Sequence, residues 1–546
     1  MAASILLSEC LEKVFLYLVD DDDTFATMSA KYLYPCTLVS RHWCRISTPF
    51  LYTYPFHYVI YSDSHISKIF QLIRTLLNCI PKSEIELIIN SNFSHIHKLF
   101  SRSNKKPPLS TYPSSTFNYI TFIRGLIFNE TFTDSFKLFH YRKIWLPPYI
   151  PKNNTTQRRF SKISIPIMNY LVKSLCKNSN NLQILEFLFT IQDNEFFNST
   201  IDLLTFKDRN GRSKLSDLKK LNYISKYEDQ KDLYSALSNN ICNLSLLCNE
   251  GINSIEKANS ISRFISLQKN LRQVILSERY HYIRNSLDDN YNIVLNSLST
   301  QCESLQKLYF TNLSFAKINE EVLRSLCSLK NIRELKLYEC KELNDNLNPW
   351  AESLTKLEIF ELVLDEYTNF SKEFLIKIIQ SSSNTLTKLI INYGRVNNQD
   401  CQLFNQISIY SRSLIHLELP KIFPSELISI IKSCDQLQYL SIILTECDED
   451  SLWGDYFKNF GKFIPKKLQT IQFRVMNNLL FNSNDLKLFF EECVNNGSEL
   501  KLLEIFGKLG RTEISQAYYD VAREFGSRGG KSEKKSSRVK SYRDVA

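Results

Sequence analysis

Few residues in this chain stand at spacings that do chemistry. "HIH" at His95–His97 would put two imidazoles on one side of an extended segment, and two imidazoles are half of a metal site. No Cys, His or Asp cluster at a recognisable spacing completes it, so solvated or capping roles are expected. His416 and Glu418 share the same alternation and form an acid/base pair in type, yet a strand pair without a pocket reads as surface. The run Asp20 to Asp23 offers carboxylates but lacks the Gly and Glu of a calcium loop. Fourteen Cys spread from Cys10 to Cys493 with no C-x-x-C. The closest pairs, Cys242/Cys248 and Cys36/Cys44, do not have zinc-knuckle spacing. They read as reduced, buried thiols of a cytoplasmic or nuclear protein. Gly numbers only 12, and neither G-x-G-x-x-G nor G-x-x-x-x-G-K-[ST] occurs, which tells against phosphate-cradling loops. No Ser, Cys or His sits in a known nucleophile motif. The expectation is a non-catalytic protein with no cofactor and no bound metal.

Composition agrees. With 43% hydrophobic and 23% charged residues over 546 positions, the chain reads as folded rather than disordered. The net charge is +10, but Val521 to Ala546 holds eight Lys/Arg against three Asp/Glu, so half the charge lies in the tail. A body of about +5 argues against a nucleic-acid partner. The tail, 516–546, with its "GSRGGKSEKKSSRVKSY", reads as basic and disordered. The N-terminus has no basic region and is interrupted by Glu9 and Glu12, so no signal peptide is expected. No apolar stretch approaches the length of a membrane span.

What could position side chains for recognition is a repeat. L-x-x-L-x-L recurs as "SLQKLYF" (Leu305, Leu308, Phe310), "NIRELKLYEC" (Ile332, Leu335, Leu337, Cys340), "KLEIFELVL" (Leu357, Phe360, Leu362) and "TLTKLII" (Leu386, Leu389, Ile391). It continues through "SLIHLEL", "QLQYLSI", "KLQTIQF" and "ELKLLEI", with steps of 23 to 32 residues. Less regular units begin at Asn181, Asp217, Ile241 and Asn270. Segments such as "NEEVLRSLCSL" and "SKEFLIKIIQSS" between them read as amphipathic helices. One short strand plus one helix per unit predicts an α/β solenoid over 165–515, and "NIRELKLYECKELND" resembles the cysteine-containing leucine-rich repeats. In each strand the aliphatics point to the core and their neighbours to the concave sheet face. Those neighbours are Lys307 and Tyr309; Glu334, Lys336 and Tyr338; Glu361; Lys388 and Asn392; His416 and Glu418; Tyr439; and Gln472 and Arg474. They are mixed in charge and include three Tyr, a residue that suits interfaces. All but Gln472 are the candidate binding residues.

At the other end, "LLSECLEKVFLYL" carries Leu7, Leu11, Val14, Phe15 and Leu18 at helical spacing, with Ser8 a suitable cap. A second helix is predicted from Tyr34-Pro35, carrying Cys36, Val39, Trp43 and Ile46 and ending at Pro49. Together, 1–55 makes a very small core that gains by burying its stripes against something else. These residues, with "CTLVSRHWCRISTPFLY", resemble the F-box motif; Ser8 stands where that family usually has Pro. The resemblance covers Ile5 to Tyr54. It implies a substrate-recognition subunit of an SCF-type cullin–RING ubiquitin ligase. Leu7, Leu11, Val14, Phe15, Leu18, Cys36, Val39, Trp43, Ile46 and Pro49 would bind the Skp-type adaptor, and the repeats would hold a protein substrate. The alternative is a repeat scaffold without ligase function, its N-terminal helices capping the solenoid, since solenoid ends need caps. Between these parts, 56–164 reads as a linker or irregular start of the solenoid. In it "FNYITFIRGLIF" packs as strand or helix and "WLPPYIPKNNTTQRR" forms a loop.

Overall fold

The structure is a computed structural model that describes residues 7–18, 27–60, 67–81, 83–84, 87, 116–129, 132, 157–178, 182–189, 200–202, 204–205, 215–225, 233–238, 240–252, 254–278, 288–365, 368, 370–393, 400–444, 453–475, 482–507 and 521. His95–His97, Asp20 to Asp23, nearly all of the proline-rich loop and the basic tail lie outside the described residues. The chain divides into two compact units, Met1–Leu271 and Arg272–Ala546.

The second unit shows the repeat most plainly. Among the described residues nine parallel strands follow in sequence order: β5 (Gln273–Ser277), β6 (Lys307–Thr311), β7 (Glu334–Tyr338), β8 (Ile359–Val363), β9 (Lys388–Asn392), β10 (His416–Lys421), β11 (Tyr439–Leu444), β12 (Thr470–Val475) and β13 (Leu502–Gly507). Parallel neighbours need a long crossover, and a helix supplies it each time. Examples are Glu320–Ser328 after β6, Lys372–Ser381 after β8 and Ser483–Asn495 after β12. Polar caps start these helices. The Val322 N–H donates to Asn319 Oδ1 at 2.9 Å and the Phe374 N–H to Ser371 Oγ at 3.3 Å.

Each rung joins the last by a repeated device. Two consecutive N–H groups donate to one carbonyl of the preceding rung. Gln306 and Lys307 donate to Arg272 O at 2.8 and 2.9 Å, and Glu358 and Ile359 to Arg333 O at 2.7 and 2.9 Å. The aliphatics Leu308, Leu335, Phe360, Leu389, Leu417, Leu440 and Ile471 stack in one buried column, as the alternation predicts. Trp350, fully buried, fills the space between sheet and helices against Phe310, Phe315 and Phe374.

The first unit opens with helices: α1 (Ser8–Leu18), α2 (Thr27–Thr37), α3 (Arg41–Leu51), α4 (Pro55–Ile60) and α5 (Ser67–Leu77). Four parallel strands follow: β1 (Gly125–Asn129), β2 (Ile184–Phe189), β3 (Lys220–Ser225) and β4 (Leu246–Glu250). The helix expected from Pro35 to Pro49 is in fact two. Pro35 lies inside α2 and Pro49 inside α3, with a turn at Leu38–Ser40 between them. Ser40 decides this. Its Oγ accepts the Trp43 N–H at 3.1 Å, a stronger helix start than a proline that merely tolerates one. The first rung, β1, also precedes 165, where the sequence repeat becomes recognisable. "FNYITFIRGLIF" provides both a tight helical turn, Tyr119–Phe122, and β1.

Candidate protein-docking surfaces

The stripe of α1 that the periodicity marks is used inside the chain. Leu11 and Phe15 form a small closed core with Leu33 and Ile46, and Leu18, Cys36, Trp43, Phe50 and Leu51 pack against it. The Phe15 ring meets Trp43 and Phe50 edge-on, at 5.6 and 6.1 Å between centroids. Burial pushes the Cys36 thiol up. The ten residues expected at an adaptor interface therefore divide by exposure. Leu11, Phe15 and Ile46 hold the helices together, while Leu18, Cys36, Trp43 and Pro49 are half-buried. Leu7 (66% exposed), Val14 (47%) and Val39 (55%) face outward. Exposed Leu16, Tyr17, Tyr32, Tyr34 and Leu38 join them, and sequence periodicity pointed to none of these five. Eight large apolar side chains are thus exposed among the described residues of this segment.

The turn that follows α3 also joins the sheet. The Thr53 carbonyl accepts from the Arg124 and Gly125 N–H groups at 2.9 and 3.3 Å, the two-to-one pattern that recurs at β2 to β4 and at β6 to β13. Tyr54 Oη donates to Gln183 Oε1 at 2.8 Å. Gly125 is required by this approach, since a Cβ there would lie 2.6 Å from Tyr54 Cδ1 and 2.8 Å from His57 Cε1. His57 on α4 is fully buried, and burial, then the charge of Lys220, takes its imidazole down to about 3. Glu186 Oε1 lies 3.9 Å from His57 Nε2, both side chains being fully buried.

In the second unit the outward-facing residues of adjacent strands stand in columns. Lys307, Glu334, Ile359, Lys388 and His416 form one, and Tyr309, Lys336, Glu361, Ile390 and Glu418 the next. Glu361, only 5% exposed, is the hub. Lys388 Nζ lies 2.8 Å and Lys336 Nζ 3.5 Å from its Oε1, and the Tyr338 hydroxyl donates to Oε2. Burial raises the Glu361 carboxyl, but hydrogen bonds from Lys388 and Tyr338 and the two lysine charges outweigh it and hold it below its ordinary value. Burial first, then the Glu361 bond and charge, push the Tyr338 phenol well up, so the proton stays on Tyr338. Glu334, 8% exposed, lies 3.0 Å from Lys336 Nζ and 3.5 Å from Lys307 Nζ. Lys336 also sits 4.8 Å over the Tyr309 ring. The alternation had both glutamates presented on the open face. Instead the lysines and Tyr338 cover them, because a carboxylate at a crowded strand centre is tolerated only when paired.

A second network spans β10 to β13. His416 Nε2 is 2.9 Å from Glu418 Oε1, and its ring stacks on Tyr439 with centroids 4.1 Å apart. Tyr439 Oη and Ser441 Oγ both donate to Gln472 Oε1, at 3.2 and 2.8 Å. Gln472 Nε2 in turn donates to Glu504 Oε2 at 3.4 Å. Arg474 gives Nη2 to the Leu419 carbonyl at 3.0 Å, a brace across the sheet. Asn392 stands apart at the end of β9, its carbonyl accepting the Leu364 N–H at 2.8 Å. Ser441, Glu504, Ile359 and Ile390 belong to this face too. Counting one position to either side of the second inward residue of each L-x-x-L-x-L would have found them. Among the described residues no group of three His, Cys, Asp or Glu is placed to hold a metal ion, and no helix is long and apolar enough to cross a membrane.

No family model matches the sequence, and no curated protein matches it. Among solved structures, the leucine-rich repeat-containing protein LegL7 from Legionella pneumophila is similar at 14% identity with a TM-score of 0.32, over 60% of this chain and 95% of that one. So distant a likeness carries no argument. The solenoid rests on this chain's own strands and rungs.

Proposed function

We propose that the protein is a non-catalytic, repeat-based adaptor of the F-box kind. In this reading the N-terminal helices dock a Skp-type adaptor, and through it a cullin–RING ubiquitin ligase. The outward sheet face of the second unit holds a protein substrate. Its contribution is positional, raising the effective concentration of substrate beside the charged conjugating enzyme. The single observation that carries this is the exposure of Leu7, Val14, Tyr17, Tyr34, Leu38 and Val39 beside a small core that none of them joins. The test is calorimetry of the full-length chain with a Skp-type adaptor, repeated on Val14→Lys combined with Val39→Glu. Binding at micromolar concentration or tighter is expected, weakened at least tenfold in the variant with thermal stability unchanged. No binding by the unaltered protein would overturn the ligase reading.

A second reading is a scaffold whose N-terminal helices only cap the solenoid. The Thr53 carbonyl, acting as a rung ahead of β1, favours it. Capping runs through Thr53 and Tyr54, after α3, and docking through residues of α1, α2 and the turn after α2, so the adaptor titration separates a protein that does both from one that only caps.

A further inference from the structure

The lysines of β6 to β9 are held in a way that bare surface lysines are not. Lys307, Lys336 and Lys388 keep side-chain exposures of 36%, 21% and 31%, while the two carboxylates that pin them, Glu334 and Glu361, keep 10% and 7%. Three positive charges therefore stand over two shielded negative ones, and the surplus is positive and outward. An ammonium group has three donors. Glu334 and Glu361 lie within reach of two of those on Lys336, and Glu361 of one on Lys388. The pinning also removes much of the rotamer entropy that a lysine ordinarily loses on binding. Between the lysines lie half-buried Tyr309, Ile359 and Ile390. The next outward carboxylate along the sheet is Glu418 on β10, 2.9 Å from His416 Nε2, and past the strand ends stand Glu339, Glu342 and Asp365.

We infer that this face takes an extended acidic segment of a protein, crossing the strands with carboxylates at alternate positions and so turned to one side, toward the lysines. The spacing fits. Lys307 and Lys388 share a register position three strands apart. That is about 14 Å at the usual strand separation, and four residues of extended chain also span about 14 Å. Lys336, one strand over and two residues along from Lys307, meets the acid in the middle. This rests on the reading that the sheet face holds substrate, and it supplies the substrate's chemical class.

The experiment uses the full-length chain and a fluorescein-labelled decapeptide alternating Glu and Val, read by anisotropy. Binding is expected, at least tenfold tighter than to the same peptide with Gln for Glu, and weakening as salt rises. Lys336→Gln and Lys388→Gln should each weaken it about tenfold, the size of one charge-assisted hydrogen bond. Lys336→Arg should retain most of the affinity, and Lys330→Gln, exposed and off the face, all of it. Equal binding of the Gln peptide, or no effect of Lys336→Gln, would overturn the inference. So would tighter binding of a single-stranded oligonucleotide than of the Glu peptide. Adaptor titration on the same samples separates the two readings. Failed peptide binding with adaptor binding intact sinks this inference alone, and the converse sinks the ligase reading alone.

Discussion

Val14 and Phe15 are neighbours in sequence and opposites in structure, so they make a sharp test of the N-terminal helices. Phe15 is 0% exposed and sits at the centre of Leu11, Leu33 and Ile46, with two edge-on ring contacts. Phe15→Ala removes that ring from a core unable to collapse around the gap, for a loss of about 3–5 kcal/mol. A helical unit this small commands only about 3–5 kcal/mol of its own. The substitution should therefore leave α1 to α3 largely open while the rungs of the second unit, with their own stacked core, stay closed. Val14, 47% exposed, makes no such contribution, and Val14→Lys should change stability by less than about 0.5 kcal/mol. The assay is amide hydrogen exchange read by mass spectrometry on peptides from α1 and from β7. Phe15→Ala should raise exchange in α1 and leave β7 protected, and Val14→Lys should change neither. Adaptor affinity should fall in both variants, through unfolding in one and through the lost surface in the other. If Phe15→Ala left α1 protected, or Val14→Lys opened it, the assignment of inner and outer faces would be wrong.

Three further outcomes follow from the geometry. Leu335→Ala and Leu389→Ala, each in the stacked column, should each cost about 2–5 kcal/mol in urea unfolding, while Arg333→Ala on the exposed rim should cost under about 1 kcal/mol. Gly125→Ala should destabilise the first unit by about 1–3 kcal/mol in thermal melts, because the new methyl group meets Tyr54 and His57, and Tyr54→Ala should relieve part of that. Glu361 is held below its ordinary 4.5, so its contribution is fully present above that value and is lost as pH falls through the folded value. Glu361→Gln should accordingly lower stability at neutral pH and flatten the acid side of the stability profile, measured by urea titrations from pH 7 down to about 3.

Much of the solenoid was legible in the residue order. L-x-x-L-x-L encodes a strand with one buried face by period alone, and its recurrence encodes stacking, because no single unit can bury that face by itself. Leu335, Leu389 and Ile471 could be assigned inward, and Lys336, Tyr309 and His416 outward, without coordinates. Period names a face, however, and not what the face meets. The stripe Leu11–Phe15 was read as available to a partner and is instead closed by Leu33 and Ile46 from α2 and α3, while Tyr17, Tyr34 and Leu38 remain in water. Nor does period rank the outward positions. Glu334 and Glu361 lie under lysines from neighbouring rungs, 25 to 27 residues away in sequence, and only stacking brings those charges within 4 Å. The sequence by itself determined the repeat, its register and the small helical unit ahead of it, since these depend on neighbours along the chain. The tertiary structure alone decided which apolar residues stay exposed, which carboxylates are covered and that Thr53 begins the rung pattern, since each depends on segments distant in sequence meeting at one place.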